Sequence, residues 1–519
     1  MFFQRITYVY IALLLTVFLL GFPLEGADGG YSVIGVFKRT WFLVICGGFV
    51  LTMAVLRSMF AIISITTAED NFRERVKKIP LAGKLILGFL LTTVVSAVFS
   101  PYPGTFLGNF RREGVLTIGI YVLVFFLLIY YFHPKKWMMY LLGVVMVPVS
   151  MIALVQLTGA NPFMLYPDGL NYYGAGVYYS GEFLSTIGNA GLLGSILVLA
   201  IGIMIMAFIK FESEERWFLI FPLFFTLMLV FSMGIDAAFV AVLAGTVLIL
   251  PVAVTSRVTL ANTLMVFAVM AAAFTTSRMI IFQNGPIIIV PVRVLYLATI
   301  VILILAALAV VRTELFDRIS AKWYRGIAIM AVIGGAGMVF VFLWTYSGVP
   351  GGVIYEASQM LRGNFDDAFG TSRIFIWRNI LERITWKNLL LGTGPDTLGY
   401  WDIPIFERVD EYGRYFSSRV DAAHNEMLHI LATGGLLSLA AYLGALVVAA
   451  IEWFKQSNNA LSAIAGAGVL FYVIQAFFGI SQFIAAPFFW TCFGMLVYAQ
   501  MRMDDRLLKE LKFEQENTP

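Results

Sequence analysis

Long apolar runs separated by short polar connections recur along nearly the whole chain, and this alternation is the strongest pattern in the sequence. A helix needs roughly 20 predominantly apolar residues to cross about 30 Å of hydrocarbon, and the runs reach that length. They are unbroken rather than alternating residue by residue, unlike the dyad-patterned strands of a membrane barrel. Hydrocarbon offers no water to a bare backbone, so the runs predict helices. Fourteen spans follow, at approximately 6–24, 41–64, 82–100, 115–132, 137–157, 187–209, 217–234, 237–254, 260–278, 293–311, 326–346, 425–452, 460–480 and 485–502. The N-terminal MFFQRITYVYIALLLTVFLLGF is built like a signal peptide, but no A-x-A-like site follows and it reads as the first span.

The expected fold class is thus an all-α polytopic membrane protein. Spans 1–11 lie within residues 1–346, a large loop covers 347–424, spans 12–14 lie within 425–502, and a tail covers 503–519. Lys and Arg in the short loops set the orientation. With the N-terminus inside, inner loops and tails carry nineteen of them, including Arg73, Arg75, Lys77 and Lys78, while short outer loops carry six: Lys38, Arg39, Arg111, Arg112, Arg278 and Arg293. Both termini are expected in the cytoplasm and the 78-residue loop 347–424 outside. Loops of that length between tightly spaced elements are usually functional. Ile374, Trp377, Ile380, Leu381 and Ile384 recur at helical spacing and predict a helix over 372–391 at the membrane surface.

Composition agrees: 60% of the 519 residues are hydrophobic, 13% are charged and the mean hydropathy is +0.87, which excludes a soluble core. The net charge of +4 gives no warrant for a nucleic-acid partner, and membrane lipids are the surroundings. Cys46 and Cys492 sit in apolar runs and read as small hydrophobic side chains rather than a disulfide or metal framework.

Candidate chemistry gathers outside. His424 stands where the large loop enters a span, next to Asn425. An imidazole is suited to accept a proton near neutral pH, although position alone favours an interfacial cap. His429 reads as a packed bundle residue, and His133, beside Pro134 and Lys135, as an inner loop. The large loop holds eight basic and ten acidic residues, so any anion site must come from individually placed arginines. Their planar forks grip phosphate oxygens with paired hydrogen bonds, but most should pair with carboxylates. Arg111 and Arg112 in NFRREG, and Arg278 and Arg293 at the ends of an outer hairpin, run against the positive-inside bias and are the better candidates. No outer loop carries a D-x-D or E-x-D pair, and adjacent Asp366 and Asp367 diverge on a regular backbone, so the expectation is chemistry without a metal or cofactor. No Walker-type loop or G-x-S-x-G occurs either, so energy must come from the substrate. The tract NPFMLYPDGLNYYGAGVYYS over 161–180 suits stacking on sugar faces or, more commonly, an interfacial aromatic belt.

From Gly370 the chain reads GTSRIFIWRNILERITWKNLLLGTGPDTLGY and then, at 422–437, AAHNEMLHILATGGLL. An Arg with a Trp four residues on, a short helix, an L-x-G-x-G-P turn, and His-Asn opening a span with glycines about ten residues later resemble the signature region of the O-antigen ligase and O-antigen polymerase superfamily. Here these are Arg373, Trp377, Gly392, Gly394, Pro395, His424, Asn425, Gly434 and Gly435. GNFRREGVLT (108–117), QLTGANPF (156–163) and TIGNAG (186–191) are fainter echoes.

The resemblance implies a GT-C-like bundle in the cytoplasmic membrane of a bacterium, with the large loop covering a lipid-facing cleft on the extracytoplasmic side. It implies inverting, metal-independent transfer of a glycan from an undecaprenyl-diphosphate carrier to an acceptor hydroxyl on another glycan repeat, a lipid or a protein. His424 would be the general base and Arg373 the diphosphate-gripping arginine, with Arg378, Trp377 and Asn425 of the same region as further substrate contacts. Family members often carry Ser-Arg-Gly near the outer end of a central span, where FSMGIDAAF has Ser232, Met233 and Gly234 without an Arg. A second diphosphate contact would then fall to Arg111, Arg112, Arg278 or Arg293. Ser438 also departs from the usual ligase ending, which leaves polymerase and ligase open, and fourteen spans lean towards polymerase. The rival from another class is a lipid-linked oligosaccharide flippase. Transporters place ionisable residues and broken helices near the midplane. Here ionisable residues within the predicted spans are few, such as Arg57 and Lys84 near inner ends, Asp236 lies between two spans, and the polar chemistry gathers in one outer loop. A non-catalytic scaffold is a weaker third reading.

Overall fold

A computed structural model describes residues 2–23, 30–64, 79–158, 160, 163, 185–211, 213–282, 287–409 and 415–516. In chain order its helices are α1 (Phe2–Leu13), α2 (Gly30–Phe42), α3 (Gly48–Ser64), α4 (Leu81–Val98), α5 (Val115–Tyr131), α6 (Lys136–Gln156), α7 (Ala190–Lys210), α8 (Ile220–Ser232), α9 (Asp236–Leu248), α10 (Leu250–Ala253), α11 (Arg257–Met279), α12 (Val294–Arg312), α13 (Ala321–Thr345), α14 (Gly352–Leu361), α15 (Phe369–Arg383), α16 (Trp386–Leu389), α17 (Glu426–Lys455), α18 (Ala460–Ala476) and α19 (Ala486–Glu516). Two antiparallel hairpins complete it: β1 (Ile280–Phe282) with β2 (Ile287–Ile289), and β3 (Pro404–Val409) with β4 (Tyr415–Arg419).

Among the described residues nine helices are long and apolar enough to cross a membrane, and four shorter apolar helices accompany them. The chain is a helical membrane protein. Helix α7 is its axis, buried along nearly its whole length and packed on α18. Small residues permit the approach: Gly202 faces the Ala467 backbone, and Gly468 faces Ile203 and Cys492. Helices α12 and α13 stand at the periphery with apolar side chains such as Val294, Ile302 and Met338 exposed to lipid. Cys46 and Cys492 are free and buried.

Several expectations change. Lys38 and Arg39, expected in an outer loop, lie buried inside α2. Their charges are met locally: Lys38 Nζ donates to the carbonyls of Phe18 (2.6 Å) and Leu19 (3.3 Å), and Arg39 Nη1 donates to Arg112 O (2.9 Å) and Thr117 Oγ1 (2.7 Å). Satisfied this way, the helix starts well before the expected residue 41. The helix expected over 372–391 is split into α15 and α16. Helix α14 and the β3–β4 hairpin were not anticipated, being too short for a periodicity signal, whereas β1 and β2 fall in the outer hairpin expected between Arg278 and Arg293. Beyond residue 502 the tail continues the final helix to Glu516. The aromatic tract 161–180, apart from Phe163, and the inner segment carrying Arg73, Arg75, Lys77 and Lys78 lie outside the described residues.

What positions the site is the docking of the large loop onto α17. The loop has a small core of its own, in which Ile376, Ile380, Leu398, Trp401, Ile403, Val420 and Ala423 are buried against Ala432. Helix α17 is interrupted at Gly435 (φ 77°, ψ 179°), which frees carbonyls of the preceding turn. The L-x-G-x-G-P turn takes them: Thr393 N donates to Ala432 O (3.2 Å), Gly394 N to Thr433 O (2.8 Å), and Leu437 N returns to Leu390 O (3.3 Å). Helix α4 adds Ser96 Oγ to Thr433 O at 2.8 Å and a Thr92–Ser438 contact at 2.8 Å. Unpaired backbone is costly in hydrocarbon, so the two glycine motifs are halves of one joint. Gly435 has a conformation essentially reserved for glycine, and a Cβ there would meet the Leu390 carbonyl and Gly392 amide. Gly435→Ala is expected to cost about 1–3 kcal/mol and to lower the thermal midpoint in detergent. Gly337→Ala in α13, whose Cβ would meet nothing within 4 Å, should leave that midpoint unchanged; equal midpoints for both variants would refute the joint.

Candidate active site

His424 is held from both sides. Trp377 Nε1 on α15 donates to Ala423 O at 2.9 Å, and Asn425 caps α17 by accepting from Leu428 N at 3.0 Å. Between these anchors His424 adopts φ 48°, in the left-handed region that side-chain-bearing residues seldom occupy. Such strain clusters at functional sites. Burial, followed by the positive charges of Arg111 and Arg373, pulls the imidazole from 6.5 down to about 4, with Asp421 opposing. At neutral pH the ring is an unprotonated base.

Arg373 follows three residues in left-handed conformation, Gly370, Thr371 and Ser372, which kink the first turn of α15. Its Nη1 donates to Gly370 O at 2.6 Å, and Gly370 N donates to the Glu356 carboxylate at 2.8 Å. Asp236 and Glu356 face the guanidinium, while burial, the larger influence, lowers its pKa. The Nε of Arg373 is buried and has no partner among the described residues.

Arg111 is the second arginine. Its Nη2 pairs with Asp421 at 2.7 Å, and its Nε is also buried without a partner among the described residues. The loop that carries it wraps around the Asp396 carboxylate, which follows the L-x-G-x-G-P turn and accepts from the amides of Asn109 (2.6 Å) and Arg111 (3.0 Å). Burial raises the Asp396 carboxyl against the pull of these amides. Asp396 is thus a positioning residue for Arg111.

Beneath this layer lies a small cavity of about 70 Å³, lined by Arg111, Glu113, Asp396, Glu426 and His429 among others. At roughly 10–15 Å³ per water it holds a few waters and no sugar. Glu113 accepts from Tyr121 Oη (2.9 Å) and Phe483 N (2.6 Å), and burial pushes its carboxyl well above the usual range. Glu426 accepts from Tyr442 Oη (2.7 Å) and Tyr472 Oη (3.3 Å). The Nδ1 of His429 is buried without a partner among the described residues.

The other arginines singled out in the sequence stand apart. Arg278 lies across the Phe274 ring at 5.0 Å and Arg293 is exposed at the start of α12, with no hydrogen bond or ion pair to His424 or Arg373 among the described residues. Arg378 is exposed and pairs with Asp367 at 3.1 Å. Arg112 has an exposed side chain and offers its carbonyl to Arg39. Asp396, Glu113, Asp421, Asp236 and Glu356 were not singled out in the sequence, because each acquires its role from a partner that only the fold brings to it. Among the described residues no group of three or more His, Cys, Asp or Glu is placed to hold a metal ion.

The arrangement offers a neutral base under the influence of two guanidiniums that each keep a buried donor without a partner among the described residues. An unprotonated imidazole can accept a hydroxyl proton, and the two forks can receive an anion. No protein-family model matches the chain, and no curated protein matches it.

Proposed function

We propose that the protein is a membrane glycosyltransferase of the O-antigen ligase or polymerase type, a GT-C-like bundle of fourteen spans with both termini in the cytoplasm of a bacterium and its large loop outside. One observation carries this reading: Arg373 and Arg111, whose charges both act on His424, each keep a buried Nε without a partner among the described residues. A buried donor left unmade costs about 1–3 kcal/mol, a cost that an anionic ligand reverses. A diphosphate that carries two charges while it links lipid and glycan, and gains a third as it leaves, fits two arginines, and a hydroxyl beside it fits the imidazole.

In the proposed step His424 takes the proton of an acceptor hydroxyl as its oxygen forms a bond to the anomeric carbon of the donor glycan. The bond from that carbon to the diphosphate oxygen breaks, and the electron pair leaves on the polyprenyl diphosphate. Arg373 and Arg111 stabilise the charge that develops there. Attack opposite the leaving group inverts the anomeric configuration, and no metal takes part.

The test is transfer by the purified full chain in nanodiscs, supplied with a polyprenyl-diphosphate-linked repeat unit and EDTA. The expected outcome is an elongated or transferred glycan together with free polyprenyl diphosphate; a ladder of products marks a polymerase, a single addition a ligase. Absence of transfer while the lipid-linked glycan crosses a liposome bilayer would replace this reading with a flippase.

A further inference from the structure

The geometry points to a saccharide-binding subsite beside His424, built from Phe110, Tyr102 and Tyr400 and rimmed by Asp402, Arg419 and Asp421. Glycan transfer needs a place for the sugars of the acceptor, and this inference rests on the transfer reading for that assignment.

The groove is formed where the 100–114 connection meets the segment after the L-x-G-x-G-P turn. Tyr102 stacks on Tyr400 with centroids 5.0 Å apart and planes 5° from parallel, and Phe110 meets Tyr400 edge-on at 5.0 Å and 75°. Gly399 lets the Phe110 ring lie on the backbone, since any Cβ there would collide with it. Phe110 is 45% exposed and Tyr400 37% exposed, so the platform keeps ring surface open to a ligand. The open space over Phe110, Gly399, Tyr400, Asp402, Arg419 and Asp421 is about 530 Å³, within the roughly 300–1,000 Å³ of small-ligand sites.

Chemistry selects the occupant. A pyranose presents an apolar C–H face and an equatorial ring of hydroxyls, which matches an aromatic plane rimmed by groups that make charge-assisted hydrogen bonds. The Asp402–Arg419 pair is well exposed, 2.5 Å apart with side chains 66% and 62% accessible. A water-exposed pair of this kind is weakly held and free to exchange its bonds for hydroxyls. Two carboxylates against one guanidinium disfavour a phosphate, so the groove takes uncharged sugar while Arg373 and Arg111 take the diphosphate. Asp421 joins the two: it pairs with Arg111, the neighbour of Phe110, and precedes His424 by three residues. A sugar on the platform therefore places its end at the base.

The test is saturation-transfer NMR on the full chain in nanodiscs, without donor, using neutral gluco-, galacto- and manno-configured tetrasaccharides. At least one tetrasaccharide should bind, with Phe110→Ala and Tyr400→Ala each weakening it by about tenfold, or 1.4 kcal/mol, and Tyr400→Trp retaining it. A photo-reactive phenylalanine analogue at position 110 should label that sugar. Binding of none of the three, binding indifferent to both ring deletions, or labelling of lipid alone, as for an interfacial belt, overturns the subsite. Ring-dependent binding without any transfer by the wild type would leave the subsite standing and remove the transfer reading; transfer with ring-independent binding would do the reverse.

Discussion

Replacing His424 by alanine should lower glycan transfer by about 10²–10⁴-fold, the usual contribution of a positioned general base, while the protein keeps its thermal midpoint. The pH profile adds a check that a merely structural histidine would not pass. In the free protein the imidazole titrates near 4 instead of 6.5, and a base must be unprotonated to work. kcat/KM, which reports the free enzyme, should therefore hold steady through pH 6.5 and fall only as pH drops towards 4. In the donor complex the diphosphate offsets the charges of Arg111 and Arg373, which raises the pKa, so the acid limb of kcat should lie above that of kcat/KM. Stability carries the same sign: between pH 6.5 and about 4 the unfolded chain binds this proton and the folded one does not, so folding weakens as pH falls through that window. An acid limb of kcat/KM at 6.5, or a fully active His424→Ala, would remove His424 from the mechanism.

Arg373→Ala should cost about 10²–10³-fold in kcat, as expected when a donor to a developing oxyanion is lost, and should relieve product inhibition by polyprenyl diphosphate. Arg373→Lys should rescue little. A lysine is a flexible point charge that cannot reproduce a planar fork already committed through Nη1 to Gly370. Since Asp236 and Glu356 face this position, a neutral residue there also leaves two carboxylates uncompensated, which would repel the anion further. Full activity in Arg373→Lys with unchanged product inhibition would mean that the arginine serves only as a charge, and the proposed grip on the leaving group would fall.

The helical membrane architecture was legible in the sequence because apolar runs of spanning length have few other physical outcomes. The opening of α17 was equally legible: Asn425 caps it, and His424 stands at its mouth. What escaped was every feature made by distant residues. Asp396 and Arg111 are 285 positions apart, and Arg111 and Asp421 are 310 apart; each looks in isolation like an ordinary loop charge. Lys38 and Arg39 misled for a related reason. Positive charge near the end of an apolar run reads as a loop, but both find oxygen acceptors inside the bundle, and only the folded neighbours reveal that. The hairpin arginines Arg278 and Arg293 had the converse history, conspicuous by topology yet exposed and without a hydrogen bond or ion pair to His424 or Arg373 among the described residues.

The joint between the L-x-G-x-G-P turn and the break in α17 bears on how this chain can be recombined. Its backbone bonds tie 390–394 to 432–437, so the large loop is not a removable cassette. A hybrid that imports a foreign loop up to residue 424 keeps a native half-helix with no matching amides to fill it. Workable crossover points therefore lie before α14 and after residue 437, and exchanging the loop between related chains means moving loop and half-helix as one heritable block.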